Sequence, residues 1–110
     1  MDIAVIGAGG IGGWLGTLLA EAGHRVGFLV HGATLEALRR AGLPLTGPEG
    51  SVRARIEAPV AAADPAELLE ALGSRPRAVL LTTKVGALTG LAPALRALTG
   101  PRTAVVTTQN

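Results

Sequence analysis

The chain has 110 residues, 48% of them hydrophobic, with one Trp, one Phe, no Tyr, no Cys and a formal net charge of +2. That length suits one domain with a real core, and the lack of cysteine excludes disulfides, thiolate metal sites and a Cys nucleophile. Scarce aromatics and a nearly balanced charge argue against base-stacking nucleic-acid modules and against an electrostatic footprint for nucleic acid or membrane.

The sequence opens with an acidic residue and a short apolar run, without the basic and long apolar regions of a signal peptide. No apolar stretch approaches the ~20 residues that span a bilayer. A soluble, cytoplasmic location is expected.

Asp2 to Ile6 is a nearly continuous apolar run ending at Gly7, which predicts a strand buried on both faces of a parallel sheet. Gly7 to Gly13 reads as a turn. Trp14, Leu15, Leu18 and Leu19 then recur at helical spacing up to Ala22, before Gly23 as a stop. Arg25 to Val30 predicts a second strand and Thr34 to Ala41 a second helix, with Leu35 and Leu38 inward, completing a βαβα unit. From Leu43 to Glu57 the period changes to two around Gly47-Pro48-Glu49-Gly50, which predicts a hairpin. Asp64 is placed to cap a helix that starts at Pro65, buries Leu68, Leu69 and Leu72 and stops at Gly73. Ala78 to Leu81 predicts a central strand, Leu88 to Leu98 a helix containing Pro93, and Thr103 to Val106 a last strand. The expected architecture over 1–110 is a single α/β domain of Rossmann type, doubly wound around a mainly parallel sheet. The run ends at a polar strand end, where a continuation is expected.

In Gly7-Ala8-Gly9-Gly10-Ile11-Gly12 the G-x-G-x-x-G spacing has a mechanical reading. Gly7 permits the tight turn, Gly9 lets the backbone approach a pyrophosphate, and Gly12 lets helix and strand pack closely. The following helix offers amide donors and a partial positive charge to phosphates. A Walker A loop is excluded, because no Gly-Lys-Ser/Thr follows. The context of a buried strand before and a helix after points to a nicotinamide dinucleotide, against a ligand-free glycine turn.

Domains that prefer NAD carry an acid about 20 residues beyond this turn, on the ribose hydroxyls. Here the strand ends in Val30-His31-Gly32. The missing carboxylate favours NADP(H), with His31, and Arg39 or Arg40 on the next helix, as candidate cations; the competing reading leaves His31 a solvated loop residue. Nine Arg and a single Lys make up the cations of the chain. That lysine, Lys84, follows Thr82-Thr83 at the end of a central strand, where its ammonium would meet a ribose or substrate oxygen; an ordinary exposed lysine is the alternative. No metal site is expected.

The order of these landmarks resembles the N-terminal domain of the ketopantoate reductase (2-dehydropantoate 2-reductase) family. The matching pieces are Ile6 to Gly12, Gly23-His24, the strand ending at His31, Leu35 to Arg39 before Gly42-Leu43, Leu80-Leu81-Thr82-Thr83-Lys84 and the closing Gln109-Asn110. The likeness covers essentially the whole chain. It implies NADPH-dependent reduction of a small 2-keto acid, 2-dehydropantoate, to pantoate in pantothenate biosynthesis. It further implies that Lys84 and Asn110 contact cofactor near its nicotinamide end. The position of His31 is usually Arg in that family, a 2′-phosphate ligand, so His31 departs from the pattern. The family's catalytic lysine and substrate-binding residues lie in a helical C-terminal domain outside this chain, so no catalytic residue is assigned here. Homo-oligomerisation is compatible with the sequence. Two other readings stay open, a different 6-phosphogluconate or β-hydroxyacid type dehydrogenase and a stand-alone nucleotide-sensing module, although the latter generally carries an acid at the end of the second strand.

The glycine turn predicts that Gly9→Val abolishes cofactor binding and leaves the fold largely intact, because the new side chain occupies the approach of the pyrophosphate. Calorimetric titration of the variant with NADPH checks this, and an unchanged affinity would remove the turn from the site.

Overall fold

The apolar run at the start forms β1 (Asp2–Ile6), whose residues Ile3 to Ile6 are all buried. The computed structural model describes residues 1–7, 11–46, 52–56, 59–82 and 88–107, with side chains described for 1–7, 13–42, 59–82 and 92–107. The remaining elements are α1 (Ile11–Glu21), β2 (Arg25–Leu29), α2 (Gly32–Ala41), β3 (Leu43–Thr46), β4 (Val52–Ile56), β5 (Val60–Ala62), α3 (Pro65–Leu72), β6 (Ala78–Leu81), α4 (Leu88–Leu98) and β7 (Ala104–Thr107).

Five strands form one sheet in the order β5-β2-β1-β6-β7, and every neighbouring pair is parallel. Chain order runs outward from β1 through β2 to β5, then returns to the other side of β1 as β6 and β7, which makes the doubly wound Rossmann topology expected of the sequence. The predicted hairpin is a separate antiparallel pair, β3 with β4, lying against α1. Its predicted turn at Gly47 to Gly50 lies outside the described residues.

The pleat sorts the core into two layers. Ile3, Val5, Val26, Phe28 and Val30 share a cluster with Leu38 of α2, while Ala4, Ile6, Leu29, Val79 and Leu81 share the other with Leu68 and Leu72 of α3 and Leu98 of α4. Because both faces are covered, the strands read as continuous apolar runs rather than alternating ones.

Three differences from expectation have physical causes. β5 carries no predicted signal, since Val60-Ala61-Ala62 is three residues with a single β-branched side chain; it is recruited by backbone pairing to β2 and by Val30 N donating to Ala62 O at 3.0 Å. α1 begins at Ile11, inside the stretch read as turn, and α2 begins at Gly32 rather than Thr34. The face that α1 turns to the sheet is small rather than leucine-rich: Gly13, Gly16 and Thr17 are buried, whereas Trp14 is 52% exposed. Thr17 donates its hydroxyl back to Gly13 O at 2.8 Å.

That small face allows a close approach. A Cβ on Gly16 would lie 2.5 Å from the Phe28 Cζ, and Phe28 is itself fully buried. On the opposite side of β2, a Cβ on Gly27 would lie 2.9 Å from the Leu68 Cδ1. Elsewhere the predicted punctuation holds: the Asp64 carboxylate accepts from Ala66 N at 3.3 Å to cap α3, and Gly73 ends it by donating to Leu69 O.

Gly16→Ala is expected to destabilise the chain by about 1–3 kcal/mol, the usual cost of overpacking, which outweighs the ~1 kcal/mol gained in helix propensity. Adding Phe28→Leu should recover part of the loss. Urea unfolding of the single and double variants checks this, and a neutral or stabilising Gly16→Ala would contradict the packing.

Candidate cofactor site at the carboxyl edge of the sheet

In a doubly wound sheet a ligand sits beyond the carboxyl ends of the strands, where chain order reverses. Here that point lies between β1 and β6. The two strand ends are tied together there, since Thr82 donates to Ile6 O both from its hydroxyl at 2.7 Å and from its amide at 3.3 Å. On the other flank Gly7 N donates to Leu29 O at 3.1 Å, so the end of β1 is held from both sides. At Gly7 the chain leaves the sheet with φ +100°, a region that side-chain-bearing residues rarely adopt. Four residues later the backbone is already helical in α1.

The electrostatics of the helix starts differ along this edge. α3 is neutralised at its positive end by the Asp64 cap and by Glu67 in its first turn. α1, α2 and α4 have no acid in their first turns, and His31, the N-cap of α2, makes no side-chain capping bond. Two of these helix starts, α1 and α2, follow the neighbouring strands β1 and β2, which lie about 4.8 Å apart.

His31 is exposed in extended backbone, φ −144° and ψ 170°, directly before Gly32 at φ +62°. That left-handed step turns the chain out of the sheet and into α2, and it leaves the imidazole at the carboxyl edge. Arg39 and Arg40 belong to the last turn of α2, about 12 Å along the axis from its start. Arg39 Nη2 reaches Ala61 O on β5, at 3.5 Å, so this guanidinium is directed at the sheet's outer strand and not at His31.

Of the residues singled out from the sequence, the structure brings Gly7 and His31 to one edge, with Ile11 and Gly12 as the opening residues of α1. Ala8, Gly9, Gly10, Lys84 and Asn110 lie outside the described residues. Two contributors were not singled out. Thr82 was read only as part of the run before Lys84, although a threonine at a strand's end facing a neighbouring carbonyl is a recurrent tie. Gly16 stands four residues after Gly12, the spacing that places both on one helix face, and that spacing is the signal that marks it.

The geometry of a parallel sheet with a glycine turn at its switch point agrees with the comparisons to known proteins. The chain matches the family description "Ketopantoate reductase PanE/ApbA" over residues 3–110. It is 40% identical to a 2-dehydropantoate 2-reductase of Mesorhizobium japonicum, over 100% of this chain and 32% of that protein. A crystal structure of 2-dehydropantoate 2-reductase from Geobacter metallireducens superposes with a TM-score of 0.84 at 27% identity, over 100% of this chain and 34% of that one. A D-mandelate dehydrogenase solved with NADH and anilino(oxo)acetate superposes with a TM-score of 0.77 at 19% identity, over 100% of this chain and 34% of that one, a likeness of fold. The chain thus spans about a third of the length of these relatives. In sequence and in fold alike, it belongs to the ketopantoate reductase PanE/ApbA family.

Proposed function

We propose that residues 1–110 form the NADP(H)-binding domain of an oxidoreductase that reduces 2-dehydropantoate to pantoate, in cytoplasmic pantothenate synthesis. The observation that carries the reading is the pair of uncompensated helix starts, α1 and α2, on either side of the Gly7 turn. A pyrophosphate fits the first and a 2′-phosphate the second, since each end offers unpaired amide donors and a partial positive charge. The residues present fit such a cofactor, because no carboxylate stands at the end of β2 to repel the extra phosphate.

In this reading, Gly7 to Gly12 and the first turn of α1 hold the pyrophosphate. His31 and the start of α2 hold the 2′-phosphate, and Lys84 and Asn110 orient the nicotinamide end. Thr82 keeps the ends of β1 and β6 in register beneath it. When bound, the reduced nicotinamide supplies a hydride to the keto carbon. The reading assigns the proton donor and the keto-acid pocket to a portion of a longer protein, since this chain spans 32% of its Mesorhizobium relative; this chain positions the cofactor and the remainder completes the catalyst.

Two measurements test the proposal. Affinity for NADPH should exceed that for NADH, and His31→Gln should narrow the ratio of the two affinities. An unchanged ratio in the variant would make His31 a bystander, and equal affinities in the parent chain would contradict the assignment of a 2′-phosphate to the start of α2. Turnover of 2-dehydropantoate with NADPH should be undetectable for residues 1–110, since general acid catalysis alone contributes ~10²- to 10⁴-fold, and should appear in a chain extended to the length of its relatives. Robust reduction by residues 1–110 would overturn this division of labour.

A further inference from the structure

Three neighbouring strand ends at the carboxyl edge are joined in the same way, each by the amide one residue past the last registered pair. Gly7 N donates to Leu29 O at 3.1 Å, Val30 N to Ala62 O at 3.0 Å and Thr82 N to Ile6 O at 3.3 Å. The longest of the three closes the β1–β6 pair. That pair carries a second and shorter bond, from the Thr82 hydroxyl to the same carbonyl at 2.7 Å. A backbone carbonyl has two lone pairs, so Ile6 O accommodates both donors.

The chain leaves these two strands toward opposite faces of the sheet. After β1, α1 packs through Leu19 and Ala20 on the layer that holds Phe28, whereas after β6, α4 packs through Ala94, Leu95 and Leu98 on the layer that holds Leu68. Such a divergence is what opens a crevice at a switch point. Thr82, half-buried, stands where β6 ends in that crevice. Its hydroxyl thus reinforces the one junction of the three at which the helices separate.

We infer that Thr82 is a positioning residue for the nicotinamide-bearing half of the dinucleotide, acting through the Ile6 carbonyl; the inference rests on the cofactor reading above. With a 2′-phosphate at the start of α2, after β2, and a pyrophosphate at the start of α1, after β1, the other half of the molecule extends past β1 to the β1–β6 crevice. The hydroxyl bond fixes the end of β6 against the end of β1 and so sets the floor beneath that half. The adenosine half rests instead on the ends of β1 and β2, which are joined by Gly7 N and Leu29 O. Loss of the hydroxyl leaves Ile6 O with its amide donor, so the sheet survives while its registration at the crevice loosens.

The test is a pair of calorimetric titrations of the 110-residue chain, one with NADPH and one with adenosine 2′,5′-bisphosphate, which has the adenosine half of the cofactor and lacks the nicotinamide. Thr82→Val keeps the branched shape and removes the hydroxyl, whereas Thr82→Ser keeps the hydroxyl. Thr82→Val should weaken NADPH binding about three- to tenfold, the range of one hydrogen bond, and leave the bisphosphate affinity within about twofold. Thr82→Ser should match the parent with both ligands. Should Thr82→Val fail to fold, Thr82→Cys, whose thiol is only a weak donor, gives the same comparison. A merely structural role would weaken both ligands together, so equal losses would overturn the inference, as would an unchanged NADPH affinity or a serine variant as weak as the valine one. A parent chain that binds neither ligand would contradict the cofactor reading itself, and the inference with it.

Discussion

The carboxyl edge of the sheet depends on how closely α1 lies against β2. Phe28 fills the notch left by Gly16 on one face of β2, and the leucines of α3 fill the notch left by Gly27 on the other. Side-chain volume is thereby traded between neighbours at constant total, the condition under which cores reach crystal-like density. The consequence for function is geometric. A helix held this near the sheet begins four residues after Gly7, and the first-turn amides of a helix have no partner within it. A bulkier residue at 16 would push the helix outward, and with it the donors.

The two ends of the sheet solve opposite electrostatic problems with different residues. At the carboxyl edge α1, α2 and α4 have no acid in their first turns, while α3 is neutralised by Asp64 and Glu67. At the amino edge the negative ends of α3 and α4 receive arginines: Arg25 Nη2 donates to Ala71 O at 2.8 Å, as Arg75 does to the end of α4. The high arginine content of a chain whose net charge is only +2 thus has a structural use.

Most of this architecture was legible because each element carries a local reason for its existence. The buried parallel strands read as apolar runs, Asp64-Pro65 and Gly73 bracket α3, and the change of period after Leu43 marks the hairpin. The failures share a cause, namely that the deciding term was not local. β5 is made by its partner, β2, and its own three residues carry almost no strand signal. Trp14 fits the apolar spacing of α1 but stands half exposed, because the buried face of the helix is the one carrying Gly13, Gly16 and Thr17, and position 14 lies off it. At the site, the glycine spacing and the absence of an acid after Val30 could be read from the sequence, and the structure places Gly7 and His31 at one edge of the sheet. The tie of Thr82 to Ile6 O required knowing that β6 and β1 are neighbours, which chain order alone does not say.

The central claim is that a dinucleotide lies across the ends of β1 and β2, on the first turns of α1 and α2. Hydrogen exchange of backbone amides with and without saturating NADPH tests it most directly. The account predicts slowed exchange at Gly7, in the first turn of α1 and at Gly32 to Thr34, with the amides of 75–77 and 100–103 unaffected. Protection confined to the amino edge, or spread evenly over the chain, would contradict it.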